Sequence, residues 1–452
     1  MNSRRQRFLL GTAALLAAAA CPALAQILPD VAAPVDRILE DRVADQIERS
    51  VETSVEQLNE IGGKVQKSTE DALDATPEIV SESLGAAADI ANLPGIVQVP
   101  EGRAIRLEQD GPWMVVANEW ILLAGGDEAG ELQRLGAVII EDTPLSSGSD
   151  RLLIISLPAD NSARLAIEAR LDELGAESLD RNHVYNSSTG PEAAPSTGRP
   201  VLREGTTAAG RLGLIDTDID ETHPLLADSV FEESDFVDLG ALRPQAHGTA
   251  VASILASALP KRTDSIRAAS VFFLSEDGST GATSASLVKA IDWMLAEGVE
   301  IINFSLSGPP NKSLEVMINR ARERGVTIVA AVGNEGPASG PLYPAAYDGV
   351  LGVTAVDTKG QVYRWANQGA YVDVAINGVN VDVARPGGGT KRDSGTSLAA
   401  PQVAAWLAYR LPVGAGPDQA LALVREAARP AAKGGGRDDI TGWGILTVSP
   451  AS

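Results

Sequence analysis

Ser394-Gly395-Thr396-Ser397-Leu398-Ala399-Ala400-Pro401 is the stretch on which the reading of this 452-residue chain turns. A serine stands at a Gly-Thr-Ser turn, and small residues then open an apolar helix, predicted over 397–411. A nucleophilic hydroxyl needs that setting. The turn exposes it, and the free N–H groups at the helix start point at developing negative charge. Alone, the string fits the N-cap of an ordinary helix equally well. Two earlier stretches change the balance. Leu212-Gly213-Leu214-Ile215-Asp216-Thr217-Asp218-Ile219-Asp220 is an apolar run ending in carboxylates, the pattern of a buried strand that delivers an acid at its C-terminal end. His247-Gly248-Thr249-Ala250-Val251-Ala252-Ser253-Ile254-Leu255-Ala256 puts a histidine at the head of a helix of small and apolar residues. An acid, a base and a nucleophile thus follow one another along the chain.

From Gly210 onward strands alternate with helices. Strands are predicted at Leu212–Asp216, Ile266–Phe273, Ile301–Ser305, Thr327–Val332 and Val350–Val356. Helices are predicted at His247–Leu259, Ala282–Glu297, Lys312–Arg324, Ser397–Leu411 and Asp418–Ala428. That alternation implies a parallel sheet flanked by helices, with functional groups at strand ends and helix starts.

The order Asp, His, Ser is that of subtilisin, and the chain resembles the subtilisin-like serine proteases, the subtilases, from Gly210 to Val448. Three further motifs carry the resemblance. Ala330-Ala331-Val332-Gly333-Asn334-Glu335-Gly336 is similar to the family's oxyanion-asparagine segment. Ile302-Asn303-Phe304-Ser305-Leu306-Ser307-Gly308-Pro309 is similar to the strand lining its substrate cleft. Gly442-Trp443-Gly444-Ile445-Leu446 is similar to its closing turn and strand. The resemblance implies a subtilisin-like α/β fold and peptide-bond hydrolysis. It gives Ser397 the role of nucleophile, His247 that of general base and Asp216 that of the acid orienting the imidazole. The Asn334 amide and the Ser397 N–H become the oxyanion donors. Leu306, Ser307 and Gly308 would line one wall of the S1 pocket, Gly333 to Glu335 the other, and Leu342 would shorten it where the family often has glycine. That favours small or medium P1 residues. Taken singly, Asp216 could merely end its strand, Asp218 or Asp220 could be the acid, His247 could cap a helix and Asn334 could be a turn residue. The family pattern places the acid first, which prefers Asp216 and leaves Asp220 structural. Three positions depart from the pattern, Ala250, Leu398 and Gln402, and none removes a group the chemistry requires.

Composition narrows the partners. The net charge of −23 makes nucleic acid an unsuitable partner and sets the chain against anionic membranes. Of three histidines, only His247 heads a suitable motif; His223, in Thr222-His223-Pro224, reads as structural and His183 lies far upstream. Residues 1–25 read as a signal peptide, with Arg4, Arg5 and Arg7, an apolar centre from Phe8 to Ala20 and Ala23-Leu24-Ala25 as cleavage site. The apolar centre is too short to span a bilayer. It resembles a twin-arginine signal loosely, leaving the export route open. Export to the periplasm, cell envelope or exterior is expected, with no transmembrane segment in the mature protein. The single cysteine, Cys21, falls inside the signal, so the exported chain would lack thiols and disulfides.

The remaining chain divides as follows. Residues 26–105 form an acidic helical region and linker, with an apolar repeat of Val35, Leu39, Val43, Ile47, Val51, Val55 and Leu58. Within 106–186, strands at Trp120–Leu123, Ala137–Ile140 and Leu152–Leu157 and an extended end at Glu177–Val184 alternate with helices at Asp127–Leu135 and Ser162–Leu174, the second capped by Asn161 or Ser162. This is a β-α-β-β-α-β, ferredoxin-like unit. By position and element order it resembles the inhibitory prosegment of subtilases. Its tail, Asp180-Arg181-Asn182-His183-Val184-Tyr185, would lie along the cleft by strand addition. Residues 187–209 read as a linker with a processing site, and 210–452 as the catalytic domain. Catalysis requires no cofactor in this reading. The family often binds calcium, but no dense Asp/Asn loop fixes a site, which leaves metals open. The partners implied are a protein or peptide substrate and the chain's own prosegment. The competing reading is a non-catalytic binding or chaperone-like protein on the same fold.

Overall fold

The computed structural model describes residues 96–98, 103–187 and 212–447, apart from short stretches at 105, 127, 159, 174–177, 241, 260–264, 276–279 and 432–435. The expected signal, the helix over 31–75 and most of both linkers lie outside the described residues.

The N-terminal part of the described chain comprises β1 (Ile96–Gln98), β2 (Leu107–Asp110), β3 (Trp113–Ala124), α1 (Glu128–Arg134), β4 (Val138–Pro144), β5 (Arg151–Ser156), α2 (Asn161–Glu173) and β6 (Asp180–Ser187). β3 to β6 are the expected β-α-β-β-α-β unit, with antiparallel sheet order β6-β3-β5-β4. The first strand is much longer than Trp120–Leu123. Its added residues pair with β2 and β6. Helix α2 already includes Asn161, so its cap falls before the residues expected for it.

Alternate residues explain why β3 and β5 read as unbroken apolar runs. Trp120, Leu122, Leu153 and Ile155 pack under α1 and α2. Ile121, Leu123, Leu152 and Ile154 face the other way and join a core built largely of residues from 212 onward. A strand buried on both faces has no polar alternation to show.

The second part contains β7 (Leu212–Asp216), β8 (Phe231–Asp235), β9 (Leu242–Pro244), α3 (Ala246–Ala258), β10 (Ile266–Ser270), β11 (Phe272–Leu274), β12 (Thr280–Thr283) and α4 (Ser284–Ala296). It continues through β13 (Ile301–Phe304), β14 (Leu306–Ser307), α5 (Lys312–Glu323), β15 (Thr327–Ala331), β16 (Leu351–Val356), β17 (Val374–Asn377), the hairpin β18 (Val381–Ala384) and β19 (Thr390–Asp393), α6 (Thr396–Arg410) and α7 (Pro417–Ala427). Seven strands form a parallel sheet in the order β17-β16-β15-β13-β7-β10-β8. Leu212, Leu214, Val329 and Ala331 point to the face covered by α3 and α6. Ile215, Ile302, Phe304 and Ile328 point to the face covered by α4 and α5. Gly213 is required by this close approach: a Cβ there would lie 2.5 Å from Met294 Sδ on α4.

The strand expectations need correction, and β17 (Val374–Asn377) of the parallel sheet was not among them. Ile266–Phe273 is not one strand: β10 ends at Ser270, and β11 enters a different, antiparallel sheet. Strand β8 was missed, because Phe231-Glu232-Glu233-Ser234-Asp235 is an exposed edge with one apolar residue.

The two parts share a sheet. β6 pairs with β12, which continues through β11 and β9 to β1, and β6 also pairs with β14. The ferredoxin-like unit sits on α4 and α5. It supplies acceptors at both helix starts: Asn182 Oδ1 accepts from Ala285 N at 3.1 Å and Asp180 Oδ2 from Lys312 N at 2.9 Å. In return Asp292 of α4 accepts from Ser146 N and Ser147 N, both at 2.8 Å. Among the described residues, no helix is long and apolar enough to cross a membrane.

Candidate active site

Strand β7 is central in the parallel sheet and ends at Asp216, which is almost wholly buried. Its Oδ1 accepts from Thr217 N at 2.7 Å and lies 2.6 Å from His247 Nδ1, the second residue of α3. This bond assigns the ring proton to Nδ1 and leaves Nε2 as a buried acceptor. The helix start is held close by Thr217 Oγ1, which accepts from Gly248 N at 2.7 Å, and Gly248 is obligatory there: a Cβ would lie 2.3 Å from Thr217 O. The alternative acids are engaged elsewhere. Asp218 accepts from its own neighbour Ile219 N and from Gln245, and Asp220 from Thr222 and Gly387 N.

Ser397 is the second residue of α6, which packs with α3 on the same face of the sheet. Its carbonyl accepts from Ser305 Oγ at 2.9 Å, which ties it to the end of β13. Asn334 follows β15. Its Oδ1 accepts from both Thr396 N and Thr396 Oγ1 at 3.1 Å. With the oxygen engaged beside Ser397, the amide –NH₂ is turned away from Thr396. Asn367 Oδ1 accepts from Glu335 N at 2.8 Å and steadies the same loop. The ends of β7, β13 and β15 and the starts of α3 and α6 therefore meet at the C-terminal edge of the sheet, where open α/β sheets carry their sites.

Of the proposed pocket residues, Leu306 and Ser307 form β14 and pair antiparallel with Ser187 and Asn186. Gly308 lies under the Tyr185 ring: a Cβ there would be 2.5 Å from Tyr185 Cδ1. The Tyr185 hydroxyl donates to Pro309 O at 2.8 Å. Leu342 reaches over Gly333, whose added Cβ would lie 2.5 Å from Leu342 Cδ1. The tail β6 thus lies between β12 and β14 in the groove beside the site. His223 uses both ring nitrogens, on Gly389 O at 2.8 Å and Leu225 N at 3.1 Å, as a structural residue would. Gln402 donates to Leu398 O at 2.7 Å within its own helix. Thr217, Thr396, Asn367 and Ser305 were not singled out from the sequence. Thr217, Thr396 and Ser305 stand inside the quoted motifs, next to residues that were. Among the described residues, no group of three or more His, Cys, Asp and Glu side chains gathers to hold a metal.

A parallel α/β sheet with a buried Asp–His pair and a serine heading the neighbouring helix defines the class of a serine hydrolase. Residues 207–444, over half the chain, match the profile of the Peptidase S8 or subtilase family. The chain belongs to that family and is a serine-type endopeptidase. It is 30% identical over 268 residues to a subtilisin of Bacillus pumilus, covering 56% of this chain and 95% of that one. Subtilisin E of Bacillus subtilis (strain 168) is 29% identical over 314 residues, covering 64% of this chain and 80% of the relative. Among solved structures, fervidolysin from Fervidobacterium pennivorans, a keratinolytic enzyme related to subtilisin, superposes with a TM-score of 0.60 at 19% identity. That match covers 79% of this chain and 64% of fervidolysin, and supports the fold alone.

Proposed function

We propose that the chain is made as the self-inhibited precursor of an exported endopeptidase whose centre is Ser397, His247, Asp216 and Asn334. The 2.6 Å bond from His247 Nδ1 to Asp216, at the edge of the sheet where Ser397 begins α6, carries this reading. His247 Nε2 takes the proton from Ser397 Oγ as that oxygen attacks the scissile carbonyl. Asp216 holds the imidazole in the accepting tautomer and stabilises the imidazolium. The Asn334 amide and the Ser397 N–H receive the negative charge developing on the carbonyl oxygen. His247 then protonates the departing amine, and water clears the acyl group from Ser397 by the same route. Labelling with a fluorophosphonate tests the proposal: Ser397 should be the labelled residue, and label retained in Ser397→Ala would refute the assignment.

The ferredoxin-like unit is the inhibitory prosegment in this proposal. Support comes from β6, which occupies the groove with antiparallel partners on both sides, the mode in which a peptide joins an exposed sheet edge. The strand runs to Ser187, two residues past Tyr185, so processing falls beyond Ser187. The signal at 1–25 and export rest on the sequence pattern and on kinship with subtilisins.

Leu342 bears on specificity. Because its side chain fills the space over Gly333, small or medium P1 residues are favoured. Leu342→Gly should raise kcat/KM for Phe or Tyr at P1, relative to Ala, by about tenfold or more, within the range for adding room to an apolar pocket. A peptide library cut best after Phe or Tyr by the unaltered enzyme would refute this prediction.

The contact of His183 with α5 makes prosegment binding pH-dependent. Its Nδ1 accepts from Asn311 Nδ2 at 3.1 Å, which requires the neutral ring. Burial lowers the His183 pKa below its usual 6.5; Asp180 and Asp110 oppose that shift and Arg181 adds to it. A released prosegment sheds the burial against the protease, so the His183 pKa rises and it binds more protons over that window. Affinity is therefore full above the released prosegment's value and is lost as the pH falls toward the lowered one. Dissociation constants of the cleaved prosegment measured at about pH 8 and about pH 5 should show weaker binding in acid. His183→Gln should flatten that dependence, and an unchanged slope would count against the contact.

A further inference from the structure

We propose that β1, Arg103 and β2 form a second anchor, separate from the tail in the cleft, that keeps the prosegment seated on the protease after the tail has been cut; this rests on the precursor reading above. The segment runs ahead of the ferredoxin-like unit, yet its contacts straddle both parts of the molecule. β1 pairs antiparallel with β9, Ile96 opposite Pro244 and Gln98 opposite Leu242, at the far end of the sheet from β4. Arg103 then crosses the loop before β9. Its N–H donates to Asp238 O at 2.6 Å, and its carbonyl accepts from Gly240 N at 2.8 Å. Beyond it, β2 pairs with β3 of the prosegment.

The Arg103 guanidinium is the hinge of this arrangement. It donates to Asp238 on the protease side and to Glu119 on the prosegment side. Glu119 is 4% exposed and accepts in turn from Asn182 Nδ2 at 2.9 Å, and Asn182 Oδ1 accepts from Ala285 N in the first turn of α4. One unbroken chain of charged and polar contacts thus starts and ends on the protease and passes through the segment and the prosegment. Removing the guanidinium leaves Glu119 buried without its counter-charge. An apolar cluster backs this chain: Val116 and Val184 of the prosegment meet Val237, Leu239 and Phe273 of the protease, with Leu107 packed against them.

The receiving loop is built by the protease itself. Arg243, 3% exposed, donates to the carbonyls of Val237, Leu239, Gly240 and Leu242 and to Asp235. The loop is therefore shaped before the segment docks, which lowers the ordering cost of binding. Two linked attachments give a residence far longer than either alone, typically by a factor of 10² or more. Cutting beyond Ser187 leaves β1, Arg103 and β2 in place, so the cleaved prosegment remains as a bound inhibitor.

The test follows the purified full chain after self-processing. N-terminal sequencing identifies the cut, and the dissociation rate of the prosegment fragment is measured together with the lag before peptide hydrolysis. Arg103→Gln breaks the charge relay, and Val97→Pro removes strand pairing to β9. In both variants the cut should occur at the same bond, the fragment should leave about a hundredfold faster, and the lag should shorten accordingly. If one variant fails to accumulate folded, the other decides. A normal cut with a fragment that leaves at the unaltered rate overturns the anchor alone. Absence of any cut in unaltered protein that still takes the fluorophosphonate label overturns the precursor reading, and the anchor with it.

Discussion

Ser397→Ala lowers kcat by about 10⁶-fold, the size of loss known for the nucleophile of subtilisin. On the barrier this is roughly 8 kcal/mol. The substitution removes one oxygen from a fully buried position, and the contacts around it survive. Ser305 Oγ still has the residue-397 carbonyl to bond, and Thr396 still holds Asn334. The fold should therefore persist, and the loss should appear in kcat rather than KM. Residual hydrolysis should remain above that of water alone, because the proposed oxyanion donors are intact. In the precursor reading, the same variant accumulates uncut, with β6 still in the groove. Turnover within tenfold of the unaltered enzyme would show that the nucleophile lies elsewhere.

Asp216→Asn lowers kcat by about 10⁴-fold, as the loss of the orienting carboxylate does in serine proteases. The reason lies in the charge of Asp216. One oxygen, Oδ1, faces both Thr217 N and His247 Nδ1. An asparagine that keeps its carbonyl oxygen there keeps both bonds but has no negative charge to stabilise the imidazolium that the proposed mechanism forms. Its –NH₂ then stands where Oδ2 is buried without a hydrogen-bond partner. KM should change little and the circular dichroism spectrum should be unaltered. A loss of less than tenfold would sink the orienting role of Asp216.

Much of the candidate site is legible along the chain because its residues sit at element boundaries. Asp216 ends an apolar run, His247 and Ser397 begin helices, and these junctions have local signatures of periodicity and capping. The same locality explains the misses. β8 lies at a sheet edge and buries one residue of five, so it has no periodicity to detect. β10 and β11 join into one apolar run because Val271 between them is as buried as either strand, while their hydrogen-bond partners lie in different sheets.

The amino-acid order alone determined which hydroxyl, imidazole, carboxylate and amide are the candidates for the proposed chemistry, placing Asp216 at a strand end and His247 and Ser397 at helix starts. Tertiary structure decided what lies against them. Tyr185 over Gly308, Leu342 over Gly333, Thr396 behind Asn334 and Arg103 between Glu119 and Asp238 join residues that no local pattern pairs. The physical reason is that helices and strand ends are fixed by interactions within a few residues. Those pairings follow instead from the order of strands in the sheets, which only the packing of the whole chain selects.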